Sequence, residues 1–315
     1  MKKIKILICG GTGFIGTNLV NSFKNNKNLL ITATYNKSKP KIKKNIKWVK
    51  ADLRNKNSVY KIFKNKDIII QAAATTSGAK DILNTPYLHV TDNAIMNTIM
   101  LQANYDLKIK HFIFFSCTVM YPSSKKPLKE IKFKEKDIYK SYFGVAKTKL
   151  YVEDLCKFYS NLGNTKYTCI RHSNIYGPHD KYDLNKSHFF GATINKVFNS
   201  EKYINIWGDG NERRDLLYVD DLVDFVKKTI KKQKVNFRIY NCGYGKHYSV
   251  NQIVKMIVTL SKKKLIQKND LTKKSIKTSL ALDTTLAKKE LNWKRTTHIK
   301  KGIIKTIDWY KKNYL

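Results

Sequence analysis

Residues 3–16, KIKILICGGTGFIG, constrain this chain more than any other stretch. An apolar strand from Ile4 to Cys9 runs directly into glycines spaced G-x-x-G-x-x-G, at Gly10, Gly13 and Gly16. Each glycine meets a separate geometric need. The first permits the tight turn off the strand, the second lets backbone approach a pyrophosphate, and the third lets helix pack close on strand. The pattern predicts a helix from Phe14 to about Asn25, with its N-terminal N–H groups and dipole facing the phosphates. Thr12, Phe14 and Ile15 lie in the same turn and helix start, and join the glycines as candidate cofactor contacts. Strand, turn and helix in that order point to a dinucleotide-binding unit.

The rest of the first half repeats the alternation. Strand-like runs occur at 4–9, 29–34, 46–49, 67–71, 111–116 and 166–171, and helical patterns at 14–25, 56–64, 92–104 and 142–160. Such alternation predicts an α/β fold, a doubly wound parallel sheet of the Rossmann kind with right-handed crossovers. Ligands then belong at the carboxyl ends of the strands. After residue 172 the regularity degrades into a long loop at 177–187 and helices at 188–199, 219–231, 250–260, 284–290 and 299–312. Residues 1–172 are expected to form the NAD(P)-binding domain. Residues 173–315 are expected to form mainly a smaller substrate-binding lobe, with helix 220–231 packing back on the sheet core.

Composition removes several alternatives. No apolar run reaches the roughly 20 residues of a membrane span, so no membrane partner is expected. The opening MKKIKILICG superficially resembles a secretion signal, but Lys5 interrupts its apolar run and glycine turn chemistry follows at once. The formal net charge is +39, and the excess is nearly all lysine, because only Arg54, Arg171, Arg213, Arg214, Arg238 and Arg295 are arginines. The lysines are dispersed, whereas a nucleic-acid surface concentrates arginine and aromatics. No nucleic-acid partner is expected; the positive field instead favours an anionic nucleotide substrate. The five cysteines, Cys9, Cys117, Cys156, Cys169 and Cys242, are odd in number and lack CxxC spacing. They point to a reducing cytoplasm and to no metal site.

Further motifs line up along the chain: Asp52-Leu53, QAAAT (Gln71 to Thr75), FFSCTVMYP (Phe114 to Pro122), FGVAK (Phe143 to Lys147), NIYGP (Asn174 to Pro178), IWGDGNERRD (Ile206 to Asp215) and LDTTLAKKELNW (Leu282 to Trp293). With these the chain resembles, from end to end, the extended short-chain dehydrogenase/reductase family of nucleotide-sugar epimerases, dehydratases and reductases. Within it, YGPHDKYDLNKSHFFGA (Tyr176 to Ala192) is most similar to the loop of the GDP-L-fucose synthase group, which are 3,5-epimerase/4-reductases. The resemblance implies an NAD(P)-dependent nucleotide-sugar oxidoreductase or epimerase, acting on a GDP-sugar by preference, and a homodimer, for which helices 92–104 and 142–160 are the candidates, their apolar faces suiting intramolecular core equally well. It implies cofactor contacts from Asp52, Leu53, Ala72, Ala73, Ala74, Ser116, Lys147, Asn174 and Ile175. It also implies substrate roles for Asn174, His188, Lys196, Trp207 and Arg214. Arg214 suits a diphosphate, Trp207 a base or sugar, and His188 an epimerising acid. The same residues also have plainer readings: Trp207 as core, Arg214 on a local carboxylate, His188 as a helix cap.

Two features mark this chain out. NAD-specific units carry a carboxylate about 20 residues beyond the glycines for the ribose hydroxyl. Here TATYNKSKP (Thr32 to Pro40) has none, and Lys37 stands ready for a 2′-phosphate, so NADP(H) is favoured over NAD(H). Second, the resemblance calls for Tyr-x-x-x-Lys at the proton-transfer site. Lys147 matches, but the tyrosine position is Phe143, and the partner Ser/Thr position is Cys117, beside Thr118. Tyr142 is adjacent, yet on a regular helix it points about 100° away. It serves only if the helix starts late or is locally distorted. An enzyme with a rearranged proton donor, drawn from Tyr142, His188, Cys117 or a water, is one reading. A catalytically impaired, cofactor-binding regulator or partner of the same fold is the alternative.

Overall fold

Strands and helices alternate through the first half of the chain: β1 (Ile4–Cys9), α1 (Phe14–Phe23), β2 (Leu29–Tyr35), β3 (Lys47–Lys50), α2 (Lys56–Phe63), β4 (Ile68–Gln71), α3 (Thr91–Asp106), β5 (His111–Phe115), α4 (Phe143–Ser160) and β6 (Lys166–His172). The structure, a computed structural model, describes residues 2–42, 44–76, 82, 84–130, 133–184, 187–273 and 275–315. The central strands are buried along their length, β4 as IIIQ and β5 as HFIFF. A sheet covered on both faces produces that pattern. Successive residues of β1 go to opposite sides. Ile6 and Ile8 share a cluster with Leu19, Val20 and Phe23 of α1. Leu7 and Cys9 share another with Val59 and Phe63 of α2, Met100 of α3 and Val152 of α4.

The second half adds β7 (Asn174–Tyr176), α5 (Phe189–Asn199), β8 (Tyr203–Trp207), β9 (Arg213–Tyr218), α6 (Val219–Lys232), β10 (Phe237–Cys242), β11 (His247–Ser249), α7 (Val250–Ser261), β12 (Ile266–Asp270), α8 (Thr285–Leu291) and α9 (Ile299–Tyr314). Seven strands form one parallel sheet in the order β10-β6-β5-β4-β1-β2-β3. The doubly wound Rossmann sheet is therefore present. The order reverses between β1 and β4, which opens a crevice at their carboxyl ends. The glycine turn sits there.

The chain beyond residue 172 is divided between two cores. Leu222, Phe225 and Val226 of α6, Tyr240 of β10, and Leu291 and Trp293 at the end of α8 belong to the sheet's own cluster. Strand β10 escaped the apolar-run reading because FRIYNC carries Arg238 and Asn241 and lies at the sheet edge. The other core is the smaller lobe. It gathers Phe190 and Ile194 of α5, Ile204 of β8, Ile253 and Ile257 of α7, and Ile303 and Ile307 of α9. Among the described residues no helix is long and apolar enough to cross a membrane.

Candidate active site

The glycine turn is shaped by close backbone approach. Gly10 has φ +73°, and a Cβ there would stand 2.7 Å from the Ala73 backbone. A Cβ on Gly16 would stand 2.1 Å from the Gly10 carbonyl oxygen. The Gly10 N–H donates to Thr34 Oγ1 at 3.0 Å and the Gly11 N–H to the Thr34 carbonyl at 2.8 Å, which ties the turn to β2. Gly13 is the N-cap of α1, with no side-chain capping bond and no acidic residue in the first turn. The leading N–H groups of α1, at Phe14 and Ile15, are thus left for an anion. Absent Cβ atoms and uncapped donors fit a pyrophosphate. Thr12, Phe14 and Ile15 are half-buried around the cradle, and Ala72 and Ala73 form its β4 side, with Ala74 exposed beyond them.

Towards the β3 edge, Lys37 is exposed two residues past β2. Asp52 is gripped by Arg54, whose Nη2 lies 2.7 Å from Oδ2, and Arg54 also reaches Asp92 at 3.1 Å. The Arg54 hydrogen bonds hold the Asp52 carboxyl down to about 2. Leu53, next to Asp52, is buried, its side chain packed with Val59 and Phe63.

At the carboxyl end of β5, two expected residues lie elsewhere. Ser116 is fully buried and donates to Glu153 Oε1 at 2.6 Å, so its hydroxyl is engaged beneath the site. Lys147 is exposed and ion-paired with Glu135 at 3.0 Å. Phe143 shares its outer face and is 46% exposed. Helical phase explains both. The helix expected from 142 begins at Phe143, after a single 3-10 turn at Lys140–Tyr142. The late start leaves Tyr142 half-buried, within electrostatic reach of Cys117 and Arg214.

The lysine turned inward is Lys149. Its Nζ donates to the Phe115 carbonyl at 2.8 Å and lies 4.6 Å from the centre of the Phe114 ring. Burial lowers this ammonium, while Cys117 and Glu153 oppose the shift. Burial raises the Cys117 thiol, and Lys149 pulls it back; the Val119 N–H donates to its sulfur. Burial likewise raises the Tyr142 phenol. His172 is within electrostatic reach of Lys149 and His188, with Nδ1 2.8 Å from the Ser173 carbonyl. Burial holds it down to about 4. At neutral pH the cluster therefore presents a protonated thiol and phenol beside a neutral imidazole. Thr118 is half-buried in the turn, its carbonyl accepting from the Tyr121 N–H at 3.0 Å.

Sequence reasoning missed Lys149 and His172. The signal for Lys149 was present: Tyr142, Lys149 and Glu153 recur at helical spacing on one face. His172 carried none, standing alone at the end of a strand.

The smaller lobe supplies the opposite wall. His188 precedes α5 and makes no side-chain capping bond to it. His188 is exposed by surface area but closely surrounded, and desolvation, then the charges of Lys181 and His89, lower its imidazole. Asn174 is exposed and donates to the Asp215 carbonyl at 3.3 Å, while Ile175 packs on the sheet cluster. Trp207 is 41% exposed, so it is not core. Lys196 lies over its ring at 5.8 Å and donates to the Asn205 carbonyl. Arg214 donates to the carbonyls of Arg213, Ile276 and Thr278. A hollow of about 930 Å³ beside Trp207 is bounded by Tyr139, Ser141, Asp209, Ser275 and Lys277. A larger hollow of about 1310 Å³ lies at the amino ends of β1, β2 and β3, ringed by lysines. It faces away from the strand ends where ligands of such sheets bind.

The chain is similar to known proteins along nearly its whole length. GDP-L-colitose synthase of Yersinia pseudotuberculosis is 27% identical, over 98% of this chain and 98% of its own length. UDP-glucose 4-epimerase of Thermotoga maritima, solved with UDP-glucose, superposes with TM-score 0.87 at 24% identity, covering 99% of this chain and 100% of that one. UDP-glucose 4-epimerase of Bifidobacterium longum, solved with NAD+ and UDP, gives 0.82 at 20% identity, with 98% of each chain covered. The model of the NAD dependent epimerase/dehydratase family matches residues 6–243, and the chain belongs to that family.

Proposed function

We propose that this protein is a nicotinamide-dependent nucleotide-sugar oxidoreductase or epimerase acting at a 4-keto position, with GDP-sugars preferred. One observation carries the reading: just past the carboxyl end of β5, Cys117 lies within electrostatic reach of both Tyr142 and Lys149, whose Nζ donates to the Phe115 carbonyl, in a chain whose glycine turn has the shape of a pyrophosphate cradle. The Yersinia relative, matched over nearly its full length, is named for a GDP-sugar, and the B. longum neighbour holds NAD+. The exposed Lys37, with no carboxylate nearby in sequence, supports NADP(H) over NAD(H).

When bound, the nicotinamide supplies or accepts hydride at the sugar carbon. The cradle holds the pyrophosphate, with Gly10, Gly13 and Gly16 admitting it and the first N–H groups of α1 donating. Arg214 orients the substrate diphosphate by charge-assisted bonds, and Trp207, with Lys196 beside it, receives the base or sugar. Asn174 holds a sugar hydroxyl. His188 serves epimerisation by exchanging a proton with the carbon beside the ketone, delivering it from the imidazolium form. Neighbouring α3 and α4 leave Ile95, Tyr105, Tyr151 and Phe158 exposed, which supports a homodimer. The five free cysteines suit a reducing cytoplasm.

The test is single-turnover oxidation of NADPH with a GDP-4-keto-6-deoxy sugar, alongside fluorescence titration with NADPH and NADH. We expect tighter NADPH binding and oxidation dependent on the sugar. Failure to bind either nucleotide overturns the reading. Binding without turnover, against a panel of nucleotide sugars, favours the impaired-partner alternative, which the thiol at Cys117 and the phenylalanine at Phe143 motivate.

A further inference from the structure

We propose that the buried Glu153–Arg171 pair is a positioning device for the candidate site, clamping both ends of the turn that carries Cys117 and Thr118. The sheet pattern brings the parts together. Phe112 and Phe114 of β5, with Tyr167 and Cys169 of β6, pack against Val152 and Cys156 of α4. One further step of that alternation on each strand turns Ser116 and Arg171 to the same face. They stand side by side there, because the register pairs Phe115 with Ile170. Lys149 and Glu153, four residues apart on one face of α4, meet them from the helix.

Each end of the turn is then fixed from behind. At its start, Lys149 Nζ donates to the Phe115 carbonyl at 2.8 Å, and the Ser116 hydroxyl donates to Glu153 Oε1 at 2.6 Å. At its end, Arg171 Nη1 donates to the Tyr121 hydroxyl at 3.0 Å, which donates in turn to Asn241 Oδ1 at 2.9 Å. Arg171 and Glu153 are joined at 2.6 Å, so the two anchors move as one. Ser116, Met120 and Tyr121 are buried, while Cys117, Thr118 and Val119 between them are half-buried. Residues 116–121 belong to no strand or helix. Burying two charges costs desolvation that their attraction barely offsets; here the pair gives an irregular turn one fixed geometry. That this turn serves turnover rests on the functional reading above, whereas the clamp itself does not.

The experiment removes one oxygen at each end, with Ser116→Ala, Tyr121→Phe and the double variant in the full chain. Every formal charge around Cys117 is kept, so a change in its reactivity reports geometry. The readout is the iodoacetamide alkylation rate of each cysteine at one pH, followed by peptide mass spectrometry. Cys117 is half-buried, whereas Cys9, Cys156, Cys169 and Cys242 are buried and report global opening in the same sample. We expect each single variant to speed alkylation of Cys117 by about threefold to tenfold, with the other four unchanged. The double variant should fall about threefold or more short of the product of the singles, because both anchors act through one pair. Glu290→Gln weakens another arginine fork, to Arg238 at the sheet edge, and should leave Cys117 at the wild-type rate. In NADPH oxidation each single variant should lose about tenfold in kcat, with the sugar KM within about twofold. No gain at Cys117, an equal gain in all five cysteines, or an equal gain in Glu290→Gln overturns the clamp. Faster alkylation with wild-type kcat overturns its role in turnover. A wild type that binds no nicotinamide overturns the enzyme reading, and the thiol rates still decide the clamp. If Tyr121→Phe does not fold, Ser116→Ala decides alone.

Discussion

Beneath the cleft, Glu153 and Arg171 form an ion pair at 2.6 Å with side chains only 2% and 5% exposed. The pair is fully engaged. Arg171 makes a fork to both carboxylate oxygens and donates to the Tyr121 hydroxyl at 3.0 Å, Tyr121 donates to Asn241 Oδ1 at 2.9 Å, and Ser116 donates to Glu153. Removing one partner leaves a buried, uncompensated charge, which costs about 3–5 kcal/mol. Glu153→Ala should lose that much in urea unfolding, and Glu153→Gln less, because the amide still accepts from Arg171. Equal, small losses in both variants would mean that water reaches Arg171. Single residues of this kind resist reading from sequence. Glu153 and Arg171 are 18 positions apart on a helix and a strand, and nothing local announces their meeting. Ser116 misled for the same reason: its neighbour Cys117 faces the cleft while its own hydroxyl faces the pair.

Elements were more legible than residues. The strands of the first half follow from apolar runs buried on both faces, and the glycine turn from spacing alone. What failed was phase. FGVAK suggests a reactive lysine, but the helix begins one residue later than expected, and the inward face then runs through Ala146, Lys149 and Glu153. The loop after β7 carries a second consequence at this scale. Asp180 is buried, its Oδ1 accepts from the Lys181 N–H at 2.7 Å, and its Oδ2 has no partner among the described residues. Burial pushes its carboxyl up to about 7, against about 3.9 in the unfolded chain. Between those values the folded chain holds a proton that the unfolded chain releases. The group's stabilising contribution is therefore full below about pH 4 and is lost as pH rises through about 7. Asp180→Asn removes the titration. Its stability relative to wild type should rise by about 2–4 kcal/mol between roughly pH 5 and pH 8. A difference that stays constant across that range would show that the loop relaxes to hydrate the carboxylate.

At the scale of the whole molecule, shape and charge pull in opposite directions. Helices α3 and α4 lie side by side, joined by Thr98 Oγ1 and Tyr151 Oη at 3.0 Å. They leave Ile95, Tyr105, Tyr151 and Phe158 open to water, Phe158 by 53%. Exposed apolar groups on adjacent helices suit a two-fold, self-complementary contact. Against it stands the net charge of +39 on each chain, which repels a second copy over a distance set by the ionic strength. The balance makes a directional prediction. A contact built on apolar burial should tighten as salt screens the repulsion. Sedimentation equilibrium from about 50 to 500 mM salt spans Debye lengths of roughly 14 to 4 Å, and the dimer dissociation constant should fall across it. Ile95→Glu with Phe158→Glu should give a monomer at every salt concentration, with NADPH binding retained because both positions lie away from the cradle. A dimer that weakens with salt would instead place ion pairs at its centre and move the contact off these helices.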